Sequence, residues 1–163
     1  VNVTPAEYAQ LQARAQSPVR EGWRDGALSV FVPGIPYNFK SGGQTTRGGL
    51  MKHRRLVKEW RERTADRIFA VMSENDLGEK RAPFLAWKQS DPKRVTFTVY
   101  SRNAFDSDGR EVCCSPSRDA LKDMHLVTDD RDSAGNVFIY EQITSRKATF
   151  VRGIAIRIEL RKD

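Results

Sequence analysis

The segment RGIAIRIELRK alternates Ile154, Ile156, Ile158 and Leu160 with Ala155, Arg157, Glu159 and Arg161. Side chains of a strand point to opposite faces in turn, so this period of two commits the chain to a sheet with one apolar face that a second layer must cover. KRVTFTVYS repeats the pattern, with Val95, Phe97 and Val99 set against Thr96, Thr98 and Tyr100. ALSVFV places Leu28, Val30 and Val32 on one face before Pro33 stops it, and NVFIYEQIT reads as a further strand. The residues between the last two strands, Arg146, Lys147 and Ala148, suit a hairpin.

The covering layer is legible in MKHRRLVKEWRERTADRIFAVM. Leu56, Trp60, Thr64 and Ile68 recur every four residues with Val57, Ala65, Phe69 and Met72 beside them, a helix with one packing face. Arg54, Arg55, Lys58, Arg61, Arg63 and Arg67 take much of the rest, with Arg61 balanced by Glu59, Glu62 and Asp66. Thr4, Pro5 and Glu7 form a capping-box start for a short N-terminal helix over Thr4 to Ala15. The expected fold is α+β: a single domain over 1–163, with a small mixed or antiparallel sheet of about four strands and two main helices. Residues 1–26 are an N-terminal helical extension to the core at 27–163. PGIPYNFKSGGQTTRGG reads as a surface loop and SENDLGEKRAP as a linker.

Charge is distributed unevenly. The 163 residues carry a formal +7, yet Asp106, Asp108, Glu111, Asp119, Asp123, Asp129, Asp130 and Asp132 face only Arg110, Arg118, Lys122 and Arg131 between positions 106 and 132. That stretch is −4 and the remainder +11. Clustered cations on the remainder point to a polyanion such as DNA, bound by charge neutralisation and counterion release. Lys40, Arg47, Lys52, His53, Arg54, Arg55, Arg110 and Arg118 are the candidate DNA contacts, of which His53, Arg54 and Arg55 follow the basic loop with no acid nearby. A solvated basic surface without a ligand is the competing account.

Several function classes are excluded. No apolar run approaches the roughly 20 residues that cross a bilayer, and the N-terminal stretch lacks a secretory signal's apolar core, so a soluble cytoplasmic protein is expected. Gly49 stands where a P-loop needs Lys, and His53 and His125 have no triad partners nearby; His125 reads as a helix-end residue. Cys113 and Cys114 are adjacent, which suits reduced packing thiols and neither a disulfide nor zinc. DRDSAGNVFIYE approximates a calcium loop, but Ala134 occupies a ligand position and NVFIYE favours a strand, so DSAGN is a turn.

Asp106 and Asp108 follow a strand at i and i+2. If the strand continues they share a face and can hold one hard cation, magnesium or manganese, which takes carboxylates, waters and substrate phosphate oxygens. A loop with Asx turns is the alternative.

The run FDSDGREVCCSPSRDALKDMHLVTDD resembles the core motif of RusA-like Holliday junction resolvases. In that family a strand ends in Asp-x-Asp, a helix carries Asp-Ala-Leu and an Asp-Asp pair precedes the next strand; here these are Asp106 and Asp108, then Asp119-Ala120-Leu121, then Asp129-Asp130. FVPGIPYNFK is similar to the family's strand and its Pro- and Asn-containing loop, and a weaker likeness runs from about Ala27 to Leu160. The resemblance implies an α+β fold that dimerises and a magnesium-dependent endonuclease that nicks four-way DNA junctions in recombination, repair or phage DNA processing. It implies Asp106, Asp108 and Asp130 as metal ligands, Asp129 as a further catalytic residue, and two sites on a twofold homodimer. The chain departs from the pattern at Gly109 and Val112, where the family has Asn and Lys; Arg110 or Arg118 would then supply positive charge. A weakened relative that binds branched DNA without cutting it, and an unrelated basic domain with a structural acidic segment, are the alternatives.

Overall fold

The period-two segments form strands, and a fifth, shorter one joins them. The computed structural model describes residues 2–39, 47–74, 87–128 and 135–161. In chain order the elements are α1 (Pro5–Gln16), β1 (Gly22–Arg24), β2 (Ala27–Pro33), α2 (Arg47–Glu74), β3 (Lys93–Ser101), α3 (Ser107–Cys113), α4 (Ser115–Asp123), β4 (Val137–Thr144) and β5 (Gly153–Leu160). The sheet order is β1-β2-β5-β3-β4, antiparallel throughout except for the parallel pair β3 and β4. The class is mixed α+β.

The expected hairpin between the last two strands does not form. β3 lies between them, pairing Phe97 with Tyr140 on one side and with Ile156 on the other. Alternation fixes which face a residue occupies but says nothing about which strand lies alongside. Within the expected helical extension, Asp25 and Gly26, with φ of 52° and 76°, make the tight turn that pairs Trp23 with Leu28 and adds β1 to the sheet.

Leu28, Val30, Val32, Val95, Phe97, Val99, Ile154, Ile156 and Ile158 bury the predicted apolar face against Trp60, Ile68 and Val71 of α2 and Leu121 of α4. Cys113 and Cys114 are free thiols buried in this core, as expected; burial raises the Cys114 pKa well above its ordinary value. On the other face Phe31, Tyr100 and Ala155 form a smaller cluster with Val19, Phe150 and Val151.

Helix α2 begins at Arg47, before the predicted start, so the RGG of the supposed loop is helical. Two of its residues exchange their expected places. Phe69, assigned to the packing face, is 66% exposed, whereas Arg67, assigned to the basic face, is 2% exposed and paired with Glu21. Arg61 finds its partner in Asp123 of α4, not in its helical neighbours. At the N-terminus the capping reading holds: Glu7 N donates to Thr4 Oγ1 at 3.1 Å.

Gly153 is required by packing. A Cβ there would stand 2.4 Å from Val32 O and 2.5 Å from Phe31 Cζ. Gly153→Ala is expected to cost about 3 kcal/mol through overpacking, read as a lowered urea midpoint with an unchanged slope.

Candidate acidic site and basic helix

β3 ends at Ser101, so Asp106 and Asp108 do not continue it. The strand-face geometry expected for the pair is therefore replaced by a helix start. Asp106 is the N-cap of α3, with φ −65° and ψ 173°, and its Oδ1 accepts from Gly109 N at 2.6 Å. Asp108 lies in the first turn, where a carboxylate is favoured by the helix dipole. Both side chains are exposed. A capping role accounts for one oxygen of Asp106.

The position of this turn follows from the parallel pair. Strands β3 and β4 run the same way, so the chain must cross over between them, and α3 with α4 is that crossover. The acids consequently sit at the carboxyl end of β3, where open α/β sheets place their binding crevices. Gln142 of β4 fixes the approach, accepting from Phe105 N at 2.9 Å and donating to Phe105 O at 3.0 Å. Pro116 splits the crossover helix. It has no N–H to give Val112 and crowds that carbonyl, so α3 ends at Cys113 and α4 restarts with Pro116 in its first turn.

The loop after β2 packs onto the acidic turn. A Cβ on Gly109 would lie 3.1 Å from Asn38 Nδ2 and 2.7 Å from Asp106 Oδ1, so the glycine is what admits the Asn38 amide beside the aspartate. Tyr37 and Phe39 stack edge to face at 4.9 Å; Phe39 meets His53 of α2 at 5.4 Å, and Lys52 Nζ stands 6.0 Å over the Tyr37 ring. Three consecutive residues thus join the acidic turn to the basic end of α2. In the sequence Asn38 is legible as the Asn of the loop resembling the family's Pro- and Asn-containing segment; its contact with the acidic turn is not.

That end of α2 is chemically unusual. Arg47, Lys52, Arg54, Arg55 and Lys58 are exposed, and the first turn holds no acid although the helix dipole favours one there. Arg55 and Lys58 reach Glu59 and Glu62 only at 3.8 Å. Exposed pairs of this kind contribute about 0–1 kcal/mol.

Arg110 and Arg118 are directed elsewhere. Arg110 Nη1 donates to Tyr140 O at 3.2 Å, and Arg118 Nη1 donates to Tyr140 Oη at 2.7 Å while lying 3.5 Å from Glu111 Oε1. Burial pushes the Tyr140 phenol up to about 12, with Arg118 acting in the opposite direction. Both arginines therefore brace α3 and α4 against β4. Val112 packs against the core cluster. His125 is at the helix end as read, with φ 60° and its N donating to Lys122 O at 3.0 Å.

Lys40, Asp129 and Asp130 lie outside the described residues, as do positions 130–134 of the calcium-like run, whose NVFIYE portion enters β4. The described residues on either side of the Asp-Asp pair are at the other end of the sheet. Val127 O accepts from Gln89 Nε2 at 3.4 Å, and Asn136 Oδ1 accepts from Lys93 N at 2.9 Å, where β3 begins. Nine residues of strand, about 30 Å, separate that end from Ser101. Among the described residues no three His, Cys, Asp or Glu side chains form a group able to hold a metal, and no helix is long and apolar enough to cross a membrane.

Compared with protein-family models, with curated proteins and with solved structures, the chain matches none of them.

Proposed function

We propose that this protein is a magnesium-dependent endonuclease for branched DNA of the RusA-like kind, working as a homodimer on four-way junctions. The observation that carries the reading is the Tyr37-Asn38-Phe39 bridge. It lays the Asn38 amide against Gly109 and Asp106 of the acidic turn while Phe39 and Tyr37 meet His53 and Lys52 of the acid-free basic start of α2, residues about fifty positions apart in sequence. One region holds a phosphate backbone and the adjoining one supplies the carboxylates for its hydrolysis.

The donor set suits a hard divalent ion. Magnesium is commonly held by one or two carboxylates, the remaining positions being water and substrate phosphate oxygens, and manganese accepts the same ligands. Asp106 and Asp108 would be those ligands; the resemblance adds Asp130 as a ligand and Asp129 as a catalytic residue, but the described residues flanking that pair lie at the far end of β3, so within one chain the ion would rest on Asp106 and Asp108. When bound, the ion supplies an activated water and stabilises charge on the leaving oxygen. The chain's own part is positional. The Gly109 N–H fixes one Asp106 oxygen, leaving the other for a ligand, and the Asn38 amide lies against the same glycine. Arg47, Lys52, His53, Arg54 and Arg55 orient the backbone of the arm next to the cut.

A second reading, binding branched DNA without cutting it, is favoured by one observation. Val112 is packed into the core and Gly109 is covered by Asn38, so neither slot supplies the Lys or Asn of the family pattern. A labelled four-way junction incubated with magnesium separates the two. Paired nicks that disappear in EDTA are expected. Tight binding with an intact junction would leave the second reading standing.

A further inference from the structure

Along α2, edged by Asp123 of α4, lies an open groove of about 560 Å3. That lies within the roughly 300–1,000 Å3 of pockets that bury small ligands. Its half-buried wall is Val57, Ala65 and the ring of His53, and exposed Arg54 and Lys58 stand on its rim. Across it Asp123 is held by Arg61, whose Nε and Nη2 donate to Asp123 Oδ2 at 3.2 and 2.6 Å. The other acid, Glu62, faces Lys58 at 3.8 Å. The two acids are thus each matched by a cation, leaving Arg54 as the excess charge.

We propose that this groove holds one unpaired nucleotide of single-stranded or branched DNA, its base against His53, Val57 and Ala65 and its phosphate on Arg54 and Lys58. This rests on the reading of the chain as a DNA-binding protein and adds to it a site for a base. Three observations favour that occupant. The apolar wall suits the face of a base, which a paired duplex keeps inside its stack. The cationic rim suits the phosphate beside it. His53 of the groove wall also packs on Phe39 at 5.4 Å, and Phe39 is next in sequence to Asn38 of the candidate cutting site.

The test is fluorescence anisotropy in EDTA with a labelled short oligo(dT), an abasic strand of the same length and a duplex. Wild-type protein should bind the abasic strand at least about fivefold more weakly than oligo(dT), the lower end of what one stacked base contributes. Ala65→Phe, which fills the groove without changing charge, should lose the same factor on oligo(dT) and nothing on the abasic strand or the duplex. Arg54→Gln combined with Lys58→Gln should flatten the salt dependence of oligo(dT) binding by about 1.4 in slope. Equal affinity of the wild type for abasic and oligo(dT) strands overturns the proposal, and that comparison needs no variant to fold. Undiminished oligo(dT) binding by Ala65→Phe overturns it too. If that variant instead alters the oligomeric state with oligo(dT) affinity intact, the groove belongs to a second copy and the proposal fails. No metal or cleavage enters the measurement, so its failure is separate from failure of the junction-cutting assay.

Discussion

Asp106→Asn is expected to lower magnesium-dependent cleavage of a four-way junction by more than about a hundredfold and to leave stability almost unchanged. The two effects separate because Asp106 has two possible roles. As N-cap it accepts from Gly109 N, and Asn performs that task about as well as Asp. As a metal ligand it must carry charge, which Asn lacks; even the outer partners of a metal site are worth about 10- to 100-fold. Asp106→Ala should show the same loss of cutting with an additional cost of about 1 kcal/mol from the missing cap. A purely structural aspartate gives the reverse pattern, with Asn active and Ala merely less stable. Cleavage rates and urea midpoints for the two variants therefore decide what Asp106 does, and full activity in Asp106→Asn removes the metal reading.

The sequence disclosed faces and concealed neighbours. The alternation in β2, β3 and β5 correctly selected Val30, Phe97 and Ile156 as core, because period two is a local property of the backbone. It could not show that β3 separates β4 from β5, which depends on long-range pairing. Asp25-Gly26 between Trp23 and Leu28 is a hairpin signal, but a strand of three residues is too short for period two to mark β1. At the candidate site the two aspartates were legible as a pair, but their setting was not. The break after Ser101 turns a strand-face geometry into a helix cap, and the Asn38 amide arrives from seventy residues upstream. Arg67 is the sharpest case. Its spacing from Trp60 and Thr64 already placed it on the buried side, and only its charge argued for the exterior.

That charge is tolerated because Glu21 meets it, and breaking the pair is expected to be the most destabilising single change in the chain. The side chains of Arg67 and Glu21 are 2% and 6% exposed. Glu21 Oε2 accepts from Arg67 Nε at 3.0 Å, and Arg67 Nη2 donates to Oε1. Oε2 also accepts from Phe31 N at 2.9 Å. The last bond has a topological cause. β1 pairs with β2 only as far as Gly22 opposite Ser29, so Phe31 looks for its hydrogen-bond partner beyond the end of the ladder and finds the carboxylate. Glu21→Gln would leave a buried guanidinium without its counter-charge, at a cost of about 3–5 kcal/mol. A domain of this size is stable by about 5–15 kcal/mol, so the variant should sit near its unfolding midpoint in mild urea. Replacing both partners, Glu21→Leu with Arg67→Met, should recover most of the loss, because apolar side chains of similar volume need no desolvated ion. Recovery stays incomplete by about 1–3 kcal/mol, since Phe31 N–H then has no acceptor. The exposed pair Arg61 and Asp123 provides the contrast: with 41% and 53% of their side-chain surfaces accessible, Asp123→Asn should change stability by no more than about 1 kcal/mol. A loss as small as that in Glu21→Gln would mean that water reaches Arg67 and that the ion pair does not anchor α2 to the edge of β2.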